Sequence, residues 1–225
     1  MARTLSLQLP AQDARHRISL RKSSQLTTIF RRMYKPQAAM ITPEAVIKVL
    51  NQAKVKFILM GTHGIGGWRS EPRATQDVDV LVRKSHHRKA VAAVKRAFPA
   101  LQVQDLPAVT RFVDPLDGKP VIDLMKPEDE FYREIFKDPV RVGRTHLIPN
   151  LEAALASKYA AMVSPHRSAE KKHLDAADFV SMVTANYDQI DRDVLFSLGE
   201  MVKSGGGTEI LKRIEDAQAG GTLPL

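Results

Sequence analysis

Two aspartates one residue apart, Asp77 and Asp79, stand in the run "DVDVLV" at 77–82, which otherwise has the composition of a buried strand. Side chains at i and i+2 of a strand point the same way, so both carboxylates share one face while Val78 and Val80 take the other. Two carboxylates about 5 Å apart repel by roughly 3 kcal/mol at an effective dielectric of about 20, and something positive must offset that. A divalent cation does so directly, because carboxylate, water and phosphate oxygens are the hard ligands that Mg²⁺ takes. A third acid, Asp123, lies within the apolar run "PVIDLM", where an unpartnered carboxylate is expensive. With its strand beside 77–82, Asp123 completes a three-carboxylate cluster on one sheet face. For any one aspartate alone, a turn cap or a salt bridge to Arg73 or Arg83 is the ordinary explanation. The joint reading is favoured by a glycine turn, with Gly61, Gly64, Gly66 and Gly67, whose N–H groups suit a phosphate.

The elements that must position these residues follow from pattern. "TPEAVIKVLNQAK" opens a helix, with Thr42 as cap, Pro43 at the first helical position, and Val46, Val49 and Leu50 on one face. "KFILM" at 56–60 reads as a short buried strand leading into the glycine turn. A helix over "SHHRKAVAAVKRAF" follows 77–82, and the alternation of "VTRFVDPLDGKPVIDLM" around Asp117-Gly118 predicts an antiparallel hairpin. From residue 128 the pattern turns helical, interrupted by a short extended "RVGRTHLIP", and "SGGG" at 204–207 reads as a flexible break. The expected fold class is α/β (α+β): a small mixed sheet with flanking helices, then a helical C-terminal lobe. The expected boundaries are a basic, disordered arm at 1–40, the α/β core at 41–148, the helical lobe at 149–218 and a frayed tail at 219–225.

Composition excludes several classes. The 225 residues are 44% hydrophobic and 26% charged, the balance of an ordinary globule with room for a sizeable core. No apolar run is long enough to span a membrane. The chain has no cysteine, which removes disulfides, thiolate zinc sites and a thiol nucleophile, and fits a reducing cytoplasm. Net charge is +9, and residues 1–40 contribute +7 of it through eight Lys/Arg against Asp13 alone, leaving the remainder close to neutral. That arm reads as a solvated tail, an organelle transit peptide or an RNA contact. His86 and His87 are adjacent on a helix and point apart, which makes them a poor metal pair.

At this point the residues resemble the DNA polymerase beta-like nucleotidyltransferase superfamily, over roughly residues 43 to 180. The elements that carry the resemblance are "FILMGT", "THGIGGW", "DVDV" and "VIDL". Arg73, Thr75, Asp77 and Asp79 match an Arg-x-Thr-x-Asp-x-Asp pattern seen in stand-alone enzymes related to abortive-infection toxins and small-molecule nucleotidyltransferases. The resemblance implies that an acceptor hydroxyl attacks the α-phosphate of a nucleoside triphosphate such as ATP. Asp77 and Asp79 would hold Mg²⁺, Asp123 would ligate a second ion and take the hydroxyl proton, and Gly61 and Thr62 would hold the leaving pyrophosphate. Arg73 and Lys158 would also meet the nucleotide. The gap from Gly61 to Asp77 is long for the pattern, and Thr62 replaces a smaller residue. Asp175 and Asp178, at i and i+3 of a helix, read either as a solvated acidic face or as partners for basic groups. The acceptor is open among a small molecule, a protein and RNA, and a toxin-like RNA modifier or a non-catalytic binding module of the same fold are the alternatives.

Overall fold

In the computed structural model, which describes residues 9–34, 40–220 and 223, the chain runs α1 (Leu9–Tyr34), α2 (Pro43–Gln52), β1 (Phe57–Leu59), α3 (Gly61–Ile65), β2 (Val78–Val82), α4 (His87–Ala97), β3 (Gln102–Asp105), β4 (Val109–Val113), β5 (Pro120–Met125), α5 (Glu130–Glu134), β6 (Val140–Val142), β7 (His146–Ile148), α6 (Leu151–Val163), α7 (Ala169–Asn186), α8 (Arg192–Val202) and α9 (Gly206–Gln218). It divides into two units. One comprises the chain up to Gly67 together with Pro72–Ile148; the other comprises Trp68–Glu71 and the chain from Pro149 onward.

The first unit is built on a five-stranded sheet of order β1-β2-β5-β4-β3. β2 and β5 run parallel and every other pair is antiparallel, so the sheet is mixed, as the pattern predicts. α4 supplies part of the crossover that a parallel pair requires. Alternation along the strands sorts the faces: Phe57, Leu59, Val78, Val80, Val82, Ile122 and Leu124 join a core completed by Val46, Ile47 and Leu50 of α2 and Ala90 and Val94 of α4. Thr42 caps α2 by accepting from the Ala45 amide, and Pro43 begins the helix. The β4–β5 hairpin turns through Asp114–Lys119, with Gly118 in the left-handed region. The extended run "RVGRTHLIP" belongs to a second hairpin, β6–β7.

The expectation of a disordered arm over 1–40 is overturned for its described part. Residues 9–34 form one 26-residue helix, while residues 1–8 and 35–39 lie outside the described residues. An apolar period is the usual signal for a docked helix, and α1 lacks one because its buried stripe is polar: His16, Ser19, Ser23, Thr27 and Arg31 are all buried along one face, with Leu20 among them. Four of these five polar groups meet backbone. The Ser23 hydroxyl donates to the Arg73 carbonyl at 2.6 Å, Thr27 Oγ1 accepts from the Thr75 amide at 3.1 Å, Arg31 donates to the Gln76 carbonyl, and His16 Nδ1 accepts from the Gly67 amide at 3.2 Å. Helix formation thus replaces water with hydrogen bonds made by Ser23, Thr27, Arg31 and His16 Nδ1 along a face that hydrophobicity does not mark.

Among the described residues the second unit contains four α-helices, α6–α9. Asn150 opens α6 by accepting from the Ala153 amide at 2.9 Å. The "SGGG" stretch is a tight helix–helix turn rather than a flexible break. Gly205 adopts a left-handed conformation, and a Cβ on Gly199 would lie 2.6 Å from the Gly206 carbonyl oxygen, so small residues are what let α8 and α9 approach. Of the tail expected to fray at 219–225, residues 221, 222, 224 and 225 lie outside the described residues, while Leu223 is buried. Among the described residues no helix is long and apolar enough to cross a membrane.

Three histidines in the first unit are buried in neutral form. Burial pushes His63 and His146 down to about 4 and His16 to about 3, with the neighbouring Asp77 partly opposing the shift at His63. The unfolded chain takes up these protons near pH 6.5 and the native state does not. Their contribution is therefore fully present above pH 6.5 and drains away as pH falls toward about 4, by roughly 3 kcal/mol per histidine at the lower end. Urea denaturation across pH 4 to 7 should show this slope, and His63→Gln should make it shallower by about one third.

Candidate active site

The parallel register of β2 and β5 sets Asp79 directly opposite Asp123, and the antiparallel register of β5 and β4 sets Asp123 opposite Arg111. Cross-strand partners share a face, so Asp79, Asp123 and Arg111 form a row across three adjacent strands. Asp123 is 8% exposed. Its two oxygens each accept from Arg111 Nε at 3.2 Å, which supplies the positive charge that a mid-strand carboxylate requires. Asp77 sits one residue before β2 begins, and its Oδ1 accepts from the Thr75 hydroxyl at 2.7 Å. Among the described residues no three His, Asp or Glu side chains converge closely enough to hold a metal ion. Of the carboxylates that the sequence groups as ligands, Asp123 is held by Arg111 and Asp77 by Thr75.

Gly61 is the close neighbour of Asp79. It follows β1 with φ of +58°, and a Cβ built on it would lie 1.9 Å from Asp79 Oδ2. Only a residue without a side chain lets the turn backbone meet that carboxylate. The Met60 amide donates to the Asp79 carbonyl at 2.8 Å, tying the turn to β2. Thr62 and His63 are buried, and His63 Nδ1 lies 3.2 Å from the Ser23 hydroxyl, a local packing contact. Arg73 donates to the Ala74 carbonyl at 3.1 Å in the segment that α1 fastens. Arg31 also lies in this neighbourhood. Burial lowers its guanidinium below the ordinary value, and the charges of Asp114, Asp77 and Asp117 oppose that shift.

Sequence reasoning missed Arg111 and Arg31, the cations that stand near the acids. Alternation around Arg111 marks a strand, but only the register names its partner. Arg31 sits in a segment read as tail.

Lys158 belongs to the second unit, where its Nζ lies 2.8 Å from both Asp175 Oδ1 and Asp178 Oδ2. Asp175 is 1% exposed and Asp178 is fully buried, so this helix face is not solvated; the two acids hold basic partners that also include Arg167 and Arg69. Removing the lysine leaves carboxylates with part of their compensation gone. Lys158→Met should cost about 3 kcal/mol or more in urea denaturation.

Gly61→Ala should destabilise the chain by roughly 1–3 kcal/mol, from the left-handed backbone and the clash together. The steric part should fall away in an Asp79→Ala background. A double-mutant cycle by thermal or urea denaturation would measure this coupling, and strict additivity would contradict the contact.

No family model matches the sequence, and no curated protein matches it. Solved structures do. An antigenic nucleotidyltransferase-like protein from Paracoccidioides brasiliensis shares 14% identity at a TM-score of 0.46, over 76% of this chain and 89% of that one. JHP933 from Helicobacter pylori shares 14% identity at a TM-score of 0.46, over 78% and 88%. ANT(2")-Ia, solved with adenylyl-2"-tobramycin, shares 13% identity at a TM-score of 0.45, over 78% and 94%. The solved structures that this chain resembles thus include proteins of the nucleotidyltransferase type.

Proposed function

We propose that the chain transfers a nucleoside monophosphate from a nucleoside triphosphate to an acceptor hydroxyl. The observation that carries this reading is the side-by-side placement of Asp79 and Asp123 on parallel strands, with the Gly61 backbone packed against Asp79. Asp77, Asp79 and Asp123 offer only oxygen donors, the chemistry that suits Mg²⁺, but among the described residues they do not converge around one point. Asp77 and Asp79 would hold the ion that accompanies the triphosphate, and Asp123 would serve a second. When bound, such ions neutralise phosphate charge and lower the pKa of the attacking hydroxyl. Asp123 would receive the hydroxyl proton, and Arg111, which donates to both of its oxygens, would hold the carboxylate in orientation.

The Gly61–Thr62 backbone, bare of any side chain at Gly61, is where the leaving pyrophosphate would rest; the buried Thr62 hydroxyl leaves the main chain to make that contact. Arg73 is one residue from Ala74 and four from Asp77, close enough in sequence for its guanidinium to turn toward a phosphate. Lys158 would have to leave two buried carboxylates to reach a nucleotide, so its role in this reading is to hold α6 to α7. A cysteine-free chain performing this chemistry suits a reducing cytoplasm.

Incubation with each labelled nucleoside triphosphate, Mg²⁺ and a mixture of cellular RNA and metabolites tests the reading. Label should pass to an acceptor and pyrophosphate should appear, and EDTA should stop both. Asp79→Asn and Asp123→Asn should each lower turnover by at least about 100-fold. Without metal, Asp79→Asn should keep or gain thermal stability, because one of two neighbouring negative charges is gone. Near wild-type turnover in either variant would remove the assignment.

A further inference from the structure

At the opposite end of β2 from the carboxylates, the first unit carries a cleft of about 700 Å³ whose lining has seven Lys/Arg among fifteen residues and no acid. The cations come from four separate segments: Lys56 before β1, Arg83 and its neighbour after β2, the α5 region, and the β6–β7 hairpin with Arg141 and Arg144. All of them are exposed. Two of the seven form ion pairs, Lys84 with Glu128 at 3.1 Å and Lys137 with Glu134, and Arg133 donates to the Glu128 carbonyl at 2.6 Å. Lys56, Arg83, Arg141 and Arg144 have no ion pair among the described residues. The wall is fixed from the other side, where Asn51 at the end of α2 donates to the Thr145 carbonyl at 2.6 Å.

Such a concentration of like charge is costly unless an anion shares it. Arginine forks match phosphate oxygens, and half-buried Phe136 in the same lining offers a ring face on which a base can stack. The cations stand on four separate segments, which suits the successive phosphates of a strand, and the surface is concave, which does not suit a flat membrane. We propose that this cleft is a binding site for single-stranded RNA, engaging successive phosphates through Lys56, Arg83, Arg141 and Arg144. Arg83 lies four residues along the strand from Asp79, about 13 Å, so a bound strand of a few nucleotides would bridge the two ends of the sheet. Binding here does not depend on the transferase reading.

The test is fluorescence anisotropy with a labelled mixed-sequence 12-nucleotide RNA across a salt series, on the full chain. Arg141→Ala with Arg144→Ala should weaken binding at least about 10-fold at 0.1 M salt and reduce the salt slope by about 1.4, the value for two lost single-strand phosphate contacts. Arg141→Lys with Arg144→Lys should restore most of the slope. Arg21→Ala with Arg32→Ala, on the outer face of α1, should leave affinity within about 2-fold. Asp79→Asn should bind RNA normally, which separates this site from failure of the transfer chemistry. Unchanged binding in the alanine pair would overturn the proposal. So would loss of binding confined to the α1 pair, or saturable binding of tripolyphosphate or ATP with none of RNA.

Discussion

The transferase reading depends on one register: β2 lies parallel to β5 with Asp79 opposite Asp123. A slip of one residue would turn every side chain of β2 over, placing Asp79 in the apolar core and Val78 or Val80 on the polar face. The core forbids that slip, because Val78, Val80 and Val82 are almost wholly buried against α2 and α4. Hydrophobic burial on one face therefore fixes where charge sits on the other. The same logic extends to β4, where buried Phe112 beside Arg111 locks the guanidinium onto the polar face.

Much of this arrangement is legible in the sequence because strand alternation is a short-range signal. Asp77-x-Asp79, Asp123 and the Asp117-Gly118 turn all announce themselves within a few residues. Partnership across strands does not. A tight two-residue turn at Asp117-Gly118 would have paired Phe112 with Asp123; the longer Asp114–Lys119 turn, with a register shift at Phe112/Val113, brings Arg111 there instead. Summed charge hides position as well. The chain beyond residue 40 is close to neutral overall, yet folding gathers seven of its cations around one cleft. The helix α1 was illegible for a third reason, since hydropathy cannot mark a face whose contacts are hydroxyls and a guanidinium meeting backbone.

The second unit shows the same limit from the opposite direction. Its helices are easy to read, with Asn150 and Ser168 as caps. The i, i+3 spacing of Asp175 and Asp178 is equally plain, but spacing does not say which way the face turns. In the structure it turns inward, and the buried pair is compensated by Lys158, Arg167 and Arg69. A lysine that resembles a ligand-binding residue in sequence thus bridges two buried acids of α7 from α6.

The row of charges also has an order in time. β4 and β5 are joined by a short turn, so Arg111 and Asp123 meet through a contact that a hairpin closes within about microseconds. β2 reaches β5 only after α4 and two further strands have been threaded, a contact of much greater sequence separation and correspondingly slower formation. Loop-closure entropy thus favours Asp123 meeting Arg111 before Asp79 arrives beside it. In that order the chain would not have to bring two uncompensated carboxylates together, and the cation that fills the row in the finished sheet would serve first as an escort during its assembly.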